Sequence, residues 1–483
     1  MGLGIDSRPG PANPAAPDAE PSGCSMRPAA AAEPPTFPPG PRDWTPFPFT
    51  RGMRDDPLGF VGGLIARYGD AVGIQAGPLR GVILNRPEYA RHVLIRNHKA
   101  YWKGVQIAKL RRIAGDGVFF VDDPQWRRQR RNVVPAFQRA KIEALVPQLV
   151  AGADALLERW ERQHAGRGFF PVMPDTSKVA LDVVCRAMFG SDVREHADDF
   201  HRRAAFAASY AQYLFDHLLP LPLWVPTARN RRMWESRRWV RGFVHGMIDG
   251  HRRMDPLPDD LLGLLLAVRD EETGDPLSDR ELFDELMTFV NAGHETTAVT
   301  LAWALYEIGC DPALRGRLEA EVDAVLGGRA PPVAALARLG LLGRTIRETL
   351  RVHPPGWLLP RQALEDDAID GVLIPKRAIA LISVYTLHRH PAYWSEPEGF
   401  DPDRFLPERH EPRHAMAYLP FGLGGRRCVG EDFALLELRA VLARVLQRFR
   451  VEVDPSHPVV PKPELTLKPA HGVQLRIERR RAG

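Results

Sequence analysis

The sequence predicts a mainly α-helical protein with a minor β region (α+β), built as one domain over residues 45–483 behind a leader over residues 1–44. Three observations predict it. Helical spacing of apolar residues dominates, at 137–162, 178–189, 232–253, 279–310, 313–326 and 341–352. Strand-like runs occur in two regions only, around 71–84 and 370–384. The first 50 residues hold 13 prolines among Ala, Gly and Ser, a composition that cannot bury a core.

Along the chain, order is expected to begin near Trp44 to Phe49, where the leader turns aromatic. The runs 71–75 and 80–84 flank Gly77-Pro78 and read as a hairpin. Asp370-Gly371 is a favoured two-residue hairpin turn and leads to a strand over 378–384. The longest helix opens on a capping box, Ser278 with Glu281, and runs unbroken to Cys310 before Asp311-Pro312. At 1.5 Å per residue it is about 48 Å long, enough to cross a domain, so it is expected at the centre.

Composition narrows the function classes. Basic residues exceed acidic ones by only +5 and are spread out, so no nucleic-acid partner is expected. The cysteines, Cys24, Cys185, Cys310 and Cys428, match no zinc or CxxC spacing and fit a reducing, cytoplasmic compartment. No run of about 18 apolar residues and no signal-peptide pattern occurs, so no spanning segment is expected.

Four segments carry chemistry. In FGLGGRRCVG (421–430) glycines permit a tight loop, and Cys428 follows beside Arg426 and Arg427 at the start of an apolar helix. That setting predicts a lowered thiol pKa, and a single thiolate suits a haem iron better than a cluster. A buried structural cysteine is the plainer alternative. In AGHETT (292–297) Ala292, Glu295 and Thr296 share one helix face, with Phe289 one turn earlier. Ala292 and Gly293 leave a gap, and Thr296 can bond back to the Ala292 carbonyl. An acid and two threonines on a solvated face is the alternative. In ETLR (348–351) Glu348 and Arg351 can pair, a weak signal if exposed. In DDPQWRRQRR (122–131) Asp123 is a candidate N-cap, and Trp126 and Arg130 share a face away from Arg127, Arg128 and Arg131.

Together these segments resemble cytochrome P-450, of the soluble bacterial type, from about residue 45 to the end. FGLGGRRCVG fits the family signature F-x-x-G-x-R-x-C-x-G at Phe421, Gly424, Arg426, Cys428 and Gly430. AGHETT resembles the oxygen-binding motif, ETLR with Arg404 of PDRF the E-x-x-R network, and Trp126 with Arg130 the W-x-x-x-R pair. The resemblance implies haem b (iron protoporphyrin IX) with Cys428 as axial thiolate and O2 as co-substrate. It implies that Trp126, Arg130, Arg361, Phe421 and Arg426 bind the haem, and that Glu295 and Thr296 guide protons. Glu348, Arg351 and Arg404 would form a structural network. Family position places substrate at the loop 104–120, the segment 205–226, Phe289, Ala292, Gly293, Gly356, Trp357, Leu359 and the turn 470–472; the aromatic and apolar stretch 205–226 reads as a lid over a lipophilic pocket, a shallow membrane contact or ordinary core packing of two helices.

The implied activity is monooxygenation, a hydroxylation or epoxidation of a lipophilic small molecule. HETT and LTLKP (465–469) resemble the fatty-acid hydroxylase type, a similarity shared by terpenoid, carotenoid and polyketide oxidases. No flavin or iron–sulfur sequence follows the haem region, so electrons are expected from a separate ferredoxin or flavodoxin with its reductase, serving a monomer. Arg127, Arg128 and Arg131, near Arg427, form either a docking surface for that acidic carrier or a plain basic face. The rival readings are a peroxide-driven or isomerising haem-thiolate enzyme and a non-catalytic haem sensor.

Overall fold

The structure, a computed structural model, describes residues 34–190, 197–217, 220–409 and 414–480. Residues 1–33 of the expected leader, and residues 218–219 of the expected substrate segment, lie outside that range.

The long helix Asp279–Cys310 has the predicted bounds and the predicted capping box: Ser278 N–H donates to Glu281 Oε2 at 3.0 Å, and Glu281 N–H donates back to Ser278 Oγ. It is buried on every side from Thr297 to Leu305, the mark of a helix through the middle of a domain. It stops at Asp311, whose carboxylate caps the next helix, Pro312–Leu326, through the N–H groups of Ala313 and Leu314. Helix Met173–Phe189 packs along the long helix, and helix Glu431–Arg448 crosses it while lying on Val146–Gln163. Leu301, Leu305, Leu342, Leu442 and Leu446 meet in this core, each at most 1% exposed. Each such burial contributes about 1.5–3 kcal/mol.

Two helix expectations shift at prolines. The pattern over 137–162 is divided into Arg139–Ala144 and Val146–Gln163, because Pro147 lacks an N–H and fits only the first turn of a new helix. The pattern over 178–189 begins earlier, at Met173, again with a proline in its first turn.

On the other side lies a six-stranded sheet. Its spatial order is Arg42–Asp43, Ala71–Ala76, Leu79–Leu84, Ile379–Ser383, Leu358–Ala363 and Tyr101–Trp102. The hairpin expected at Gly77-Pro78 joins the second and third strands. The Asp370-Gly371 turn has φ of 47° and 77°, the two left-handed residues such a turn needs, between Asp367–Ile369 and Val372–Ile374. Order begins before Trp44, a correction to the expected start: Thr36 bridges to Val372, and Arg42 and Asp43 pair with Gln75 and Ala76. Two-residue pairing is enough here because Gly73 N–H donates to the Pro39 carbonyl just upstream. The last strand pair matters for the site, since Trp102 opposite Gln362 sets Lys103 beside Arg361.

A separate apolar cluster, Leu110, Phe120, Tyr210, Leu214 and Met233, joins helices Val105–Ala114, Ala197–Asp216 and Ala228–Arg252, with Leu465 against it. Among the described residues no helix is long and apolar enough to cross a membrane.

Candidate active site

The cysteine loop is closed by Cys428 N–H donating to the Phe421 carbonyl at 2.9 Å, just before helix Glu431–Arg448. Gly424 has φ +74°, and a Cβ there would sit 2.2 Å from the Leu94 carbonyl oxygen, so only glycine lets the loop lie on that segment. Cys428 has open surface, yet burial pushes its thiol pKa up, against the pull of the Gly430 N–H, Arg130 and Arg427. The sulfur therefore looks into an enclosed space rather than bulk water. The lowered pKa expected from the sequence is not found, because desolvation outweighs the neighbouring cations.

In the middle of the long helix Asn291 and Ala292 are exposed and Gly293, Glu295 and Thr296 half-buried, although residues 288–290 before them and 297–305 after them are buried. The helix is therefore uncovered at this one stretch along its buried course. Thr296 Oγ1 donates to the Ala292 carbonyl at 2.6 Å, the back-bond expected from the sequence. Glu295 Oε1 accepts from Thr466 Oγ1 at 3.0 Å, which ties this stretch to the segment before strand Leu467–Pro469. Thr466 was not foreseen, since 171 residues separate it from Glu295.

Four cations gather between the cysteine loop and the sheet. Arg426 donates to the Val121 carbonyl and to Asp122 Oδ1, at 2.8 and 3.0 Å, and its guanidinium lies 4.5 Å over the Trp126 ring. Arg361, on strand Leu358–Ala363, is held below its usual pKa, to about 10, by burial first and then by Arg426. Lys103 is pushed well down by burial, with Arg361, Arg426 and Arg130 adding repulsion. Arg130 is lowered by burial, an effect that Cys428 partly offsets. Among the described residues one carboxylate, Asp122, is hydrogen-bonded into this group. So many desolvated cations against one anion make a site that lacks negative charge. Lys103 belongs to no motif and was missed in the sequence, and Asp122 opens the segment 122–131 without having been given a role there.

The loop 115–121, which ends on Asp122, is strapped to the long helix. Val118 N–H donates to both carboxylate oxygens of Glu285, at 3.1 and 3.0 Å, and Asp116 N–H to Asp284 Oδ2 at 3.0 Å. Burial, with Asp284 adjacent, pushes Glu285 up to about 8. Upstream, the expected substrate loop from 104 is largely the helix Val105–Ala114.

Glu348 and Arg351 are fully buried, so the solvated-face alternative is excluded. Arg351 donates to both Glu348 oxygens at 2.8 Å, and Arg404 Nε donates to Glu348 Oε1 at 2.9 Å. The remaining guanidinium nitrogens reach the carbonyls of His388, Ser395, Glu396, Pro397 and Gly399. The network thus fastens the stretch 388–404 to helix Gly340–Val352.

Several expected contacts sit elsewhere. Phe289 is in the core, edge-on to Phe137 at 5.0 Å, rather than lining open space. Gly293 serves helix packing: a Cβ there would lie 2.8 Å from Val184. Trp357 is buried and donates to the Glu464 carbonyl at 2.8 Å. Gly356 and Ala292 are open, and Leu359 is partly buried against the sheet core. Phe421 packs partly buried on the main core. Asp123 does not cap helix Gln125–Val133, since its carboxylate takes Arg127 instead. The basic triplet is not a free surface: Arg127 pairs with Asp123, Arg128 with Asp270 and Glu281, and Arg131 with Glu272, while Arg427 pairs with Glu431.

Comparison with known proteins agrees with this geometry. The family described as Cytochrome P450 matches residues 34–477. Cyclooctatin synthase of Streptomyces melanosporofaciens is 35% identical over 422 residues, covering 86% of this chain and 90% of that protein. Pentalenene oxygenase of Streptomyces avermitilis is 34% identical over 434 residues, covering 89% and 95%. The crystal structure of the cytochrome P450DA heme domain superposes with a TM-score of 0.82 at 28% identity, over 93% of this chain and 98% of that one.

Proposed function

The chain belongs to the cytochrome P450 family and is a monooxygenase of lipophilic small molecules, and on that premise we propose how its own residues do the work. The family implies a haem with a cysteine thiolate and the use of O2. When bound, the haem supplies oxygen activation and insertion of one oxygen atom into a C–H or C=C bond. The observation that carries the assignment is the cluster of Lys103, Arg130, Arg361 and Arg426 against Asp122, next to an inward-facing Cys428. The two carboxylates of haem b fit that deficit of negative charge, and the thiolate fits its iron.

In this reading Cys428 Sγ would hold the haem iron. Arg361, Arg426, Arg130 and Lys103 would hold its carboxylates, with Trp126 stacked under Arg426 and Phe421 packed behind the loop. Thr296 Oγ1 holds a proton-bearing water in the opening beside Ala292, and Glu295 Oε1, reached from Thr466, resupplies the proton. Glu348, Arg351 and Arg404 set the loop. The opening beside Ala292 and Gly356 admits the substrate. The domain is a single haem-thiolate unit behind the Pro/Ala-rich leader. We take the substrate to be a terpenoid, because the two Streptomyces relatives are named for cyclooctatin and pentalenene. We take it further to be a monomeric, cytoplasmic enzyme fed by a separate ferredoxin or flavodoxin and its reductase, and the Streptomyces source of the two relatives favours bacterial secondary metabolism.

The test is a panel of terpenoids, fatty acids and polyketides, scored by the spin-state shift of the bound haem. A panel in which fatty acids shift the haem and no terpenoid does overturns the substrate class. On a hit, Thr296→Ala should keep electron uptake but cut product per reductant, with peroxide rising; a positioned proton donor is worth about 10²–10⁴-fold. A variant as tightly coupled as the parent removes Thr296 from the mechanism. A parent that turns over on peroxide alone favours the peroxygenase rival.

A further inference from the structure

Helices Val146–Gln163 and Met173–Phe189 do not fill the space between them evenly. At Gly152 they close in: a Cβ there would stand 2.4 Å from the Val183 side chain, so the approach depends on the missing side chain. Beside that contact they part and leave a cavity of about 150 Å³. Its walls are two stripes at helical spacing. Gly152, Ala155 and Arg159 share a face of one helix, and Lys178, Asp182 and Cys185 share a face of the other. Gly152 and Ala155 are too short to fill what lies between.

The cavity has an apolar floor and a charged rim. Leu156, Val179 and Cys185 are buried, whereas Arg159, Lys178 and Asp182 are half-buried. Cys185 belongs to the floor: burial, with Asp182 nearby, pushes its thiol pKa up and keeps it neutral. At the rim Asp182 is taken by Arg186 at 2.9 Å. Arg159 Nε donates to Asp175 Oδ1 at 2.8 Å, and the other oxygen of Asp175 accepts from Trp160. Arg159 Nη2 is buried and has no hydrogen-bond partner among the described residues. A buried charged donor without an acceptor is costly, and such a group calls for a water, an ion or a ligand. A buried water needs about two to four polar partners, which a mostly apolar wall does not offer.

We propose that this cavity binds a compact organic carboxylate, its charge on Arg159 beside Lys178 and its apolar body on Leu156, Val179 and Cys185. A guanidinium is the side chain best shaped for a carboxylate. A cavity of this volume holds about one benzene ring, so the body is a single ring or a short branched chain. Inorganic phosphate would answer the arginine but leave the floor uncovered, and a hydrocarbon would cover the floor but leave Arg159 Nη2 unpaired. None of the lining residues belongs to the site around Cys428, so the inference does not rest on the monooxygenase reading. The two sites nevertheless share a neighbour. Helix Met173–Phe189 walls the cavity on one side, and on another it packs Val184 against Gly293 and joins Ser177 Oγ to His294 Nε2 at 2.8 Å.

The test uses the full haem-loaded chain with 1-phenylimidazole on the iron, which keeps the probe out of the space beside Cys428. The probe is 4-fluorobenzoate, followed by fluorine NMR. It should bind saturably at one site, and inorganic phosphate should not displace it. Fluorobenzene, which lacks the carboxylate, should bind at least about tenfold more weakly. Ala155→Leu fills the cavity and leaves every charge in place, so it should remove binding with the haem spectrum unchanged. Arg159→Gln should weaken binding about ten- to hundredfold, the loss of one charge-assisted hydrogen bond. Arg162→Gln, at an exposed position of the same helix, should bind as the parent does. Arg159 also holds Asp175, so if Arg159→Gln fails to fold, Ala155→Leu decides. Absence of saturable binding, equal binding of fluorobenzene, displacement by phosphate, or unchanged binding in Ala155→Leu overturns the proposal. No turnover is measured, so failure leaves the monooxygenase reading standing.

Discussion

Around Glu348 two arginines are buried, and their guanidinium nitrogens end on a carboxylate or a backbone carbonyl. Around Asp122 four cations gather, Lys103 buried and three arginines half-buried, and repulsion among them is part of what depresses Lys103 and Arg361. Both regions are desolvated clusters of arginine beside the cysteine loop, yet one is complete within the chain and the other is not. Burial of a cation costs several kcal/mol unless its partners are fixed. The first cluster meets that cost with backbone it also holds in place, so its product is a fold. The second leaves it unmet, so its product is affinity for something negatively charged. Excess charge that the chain does not answer marks a binding site; charge that it does answer marks architecture.

The largest expected effect strikes the point on which the second cluster converges. Cys428→Ala should abolish the thiolate-type carbon monoxide spectrum of the reduced protein completely. Retention of that spectrum would assign the axial ligand elsewhere. Next, Glu348→Ala strands Arg351 and Arg404 and should cost about 3–5 kcal/mol, equally with and without haem. Denaturant melts of both forms measure this, and an effect confined to the haem-loaded form would erase the contrast between the clusters. Arg361→Gln should behave in the opposite way. Without haem it removes a repelled cation, so stability should hold or rise; with haem it removes about 1.5–3 kcal/mol of charge-assisted bonding, seen as roughly ten- to hundredfold faster haem loss.

The smallest effect is a slope. Lys103 has a folded pKa well below its usual value, chiefly through burial, while in the unfolded chain it stays protonated to about pH 10.4. Between those two values the unfolded state binds the extra proton, so haem-free stability should rise with pH. Lys103→Met should flatten that rise on the alkaline side of neutrality, below the unfolded value of about 10.4, as read from denaturant midpoints. A parent whose stability falls over the same range would show that Lys103 is not desolvated in the haem-free protein.

What was legible in the sequence was local. The capping box, the back-bond of Thr296 and the Asp370-Gly371 turn depend on neighbours within four residues, and all three formed as expected. The Glu348–Arg351 pair was legible as spacing, but its burial was not, because the covering backbone comes from residues 388–404. Long-range partners defeated the rest. Arg128 and Arg131 looked free because Asp270, Glu272 and Glu281 lie more than 140 residues away. Lys103 enters the site through a two-residue strand pair that no periodicity announces. Phe289 and Gly293 were placed on the right helix, but the packing partners Phe137 and Val184 decide which way each faces.

The separate cluster of Leu110, Phe120, Tyr210, Leu214 and Met233 has a consequence for how this protein can change over generations. None of its five buried members belongs to the main core. Substitutions at sites that share no neighbours combine nearly additively, so the cost of repacking this cluster adds to that of a change in the long-helix core without amplifying it. Most mutations destabilise, and a lineage survives only those that its margin absorbs. A chain whose roof cluster has its own buried side chains can therefore try new roof shapes at a cost that stays local to that cluster. Laboratory selection for altered regioselectivity should accumulate changes at 107–120, 206–233 and 465, while Thr297–Leu305 stays fixed.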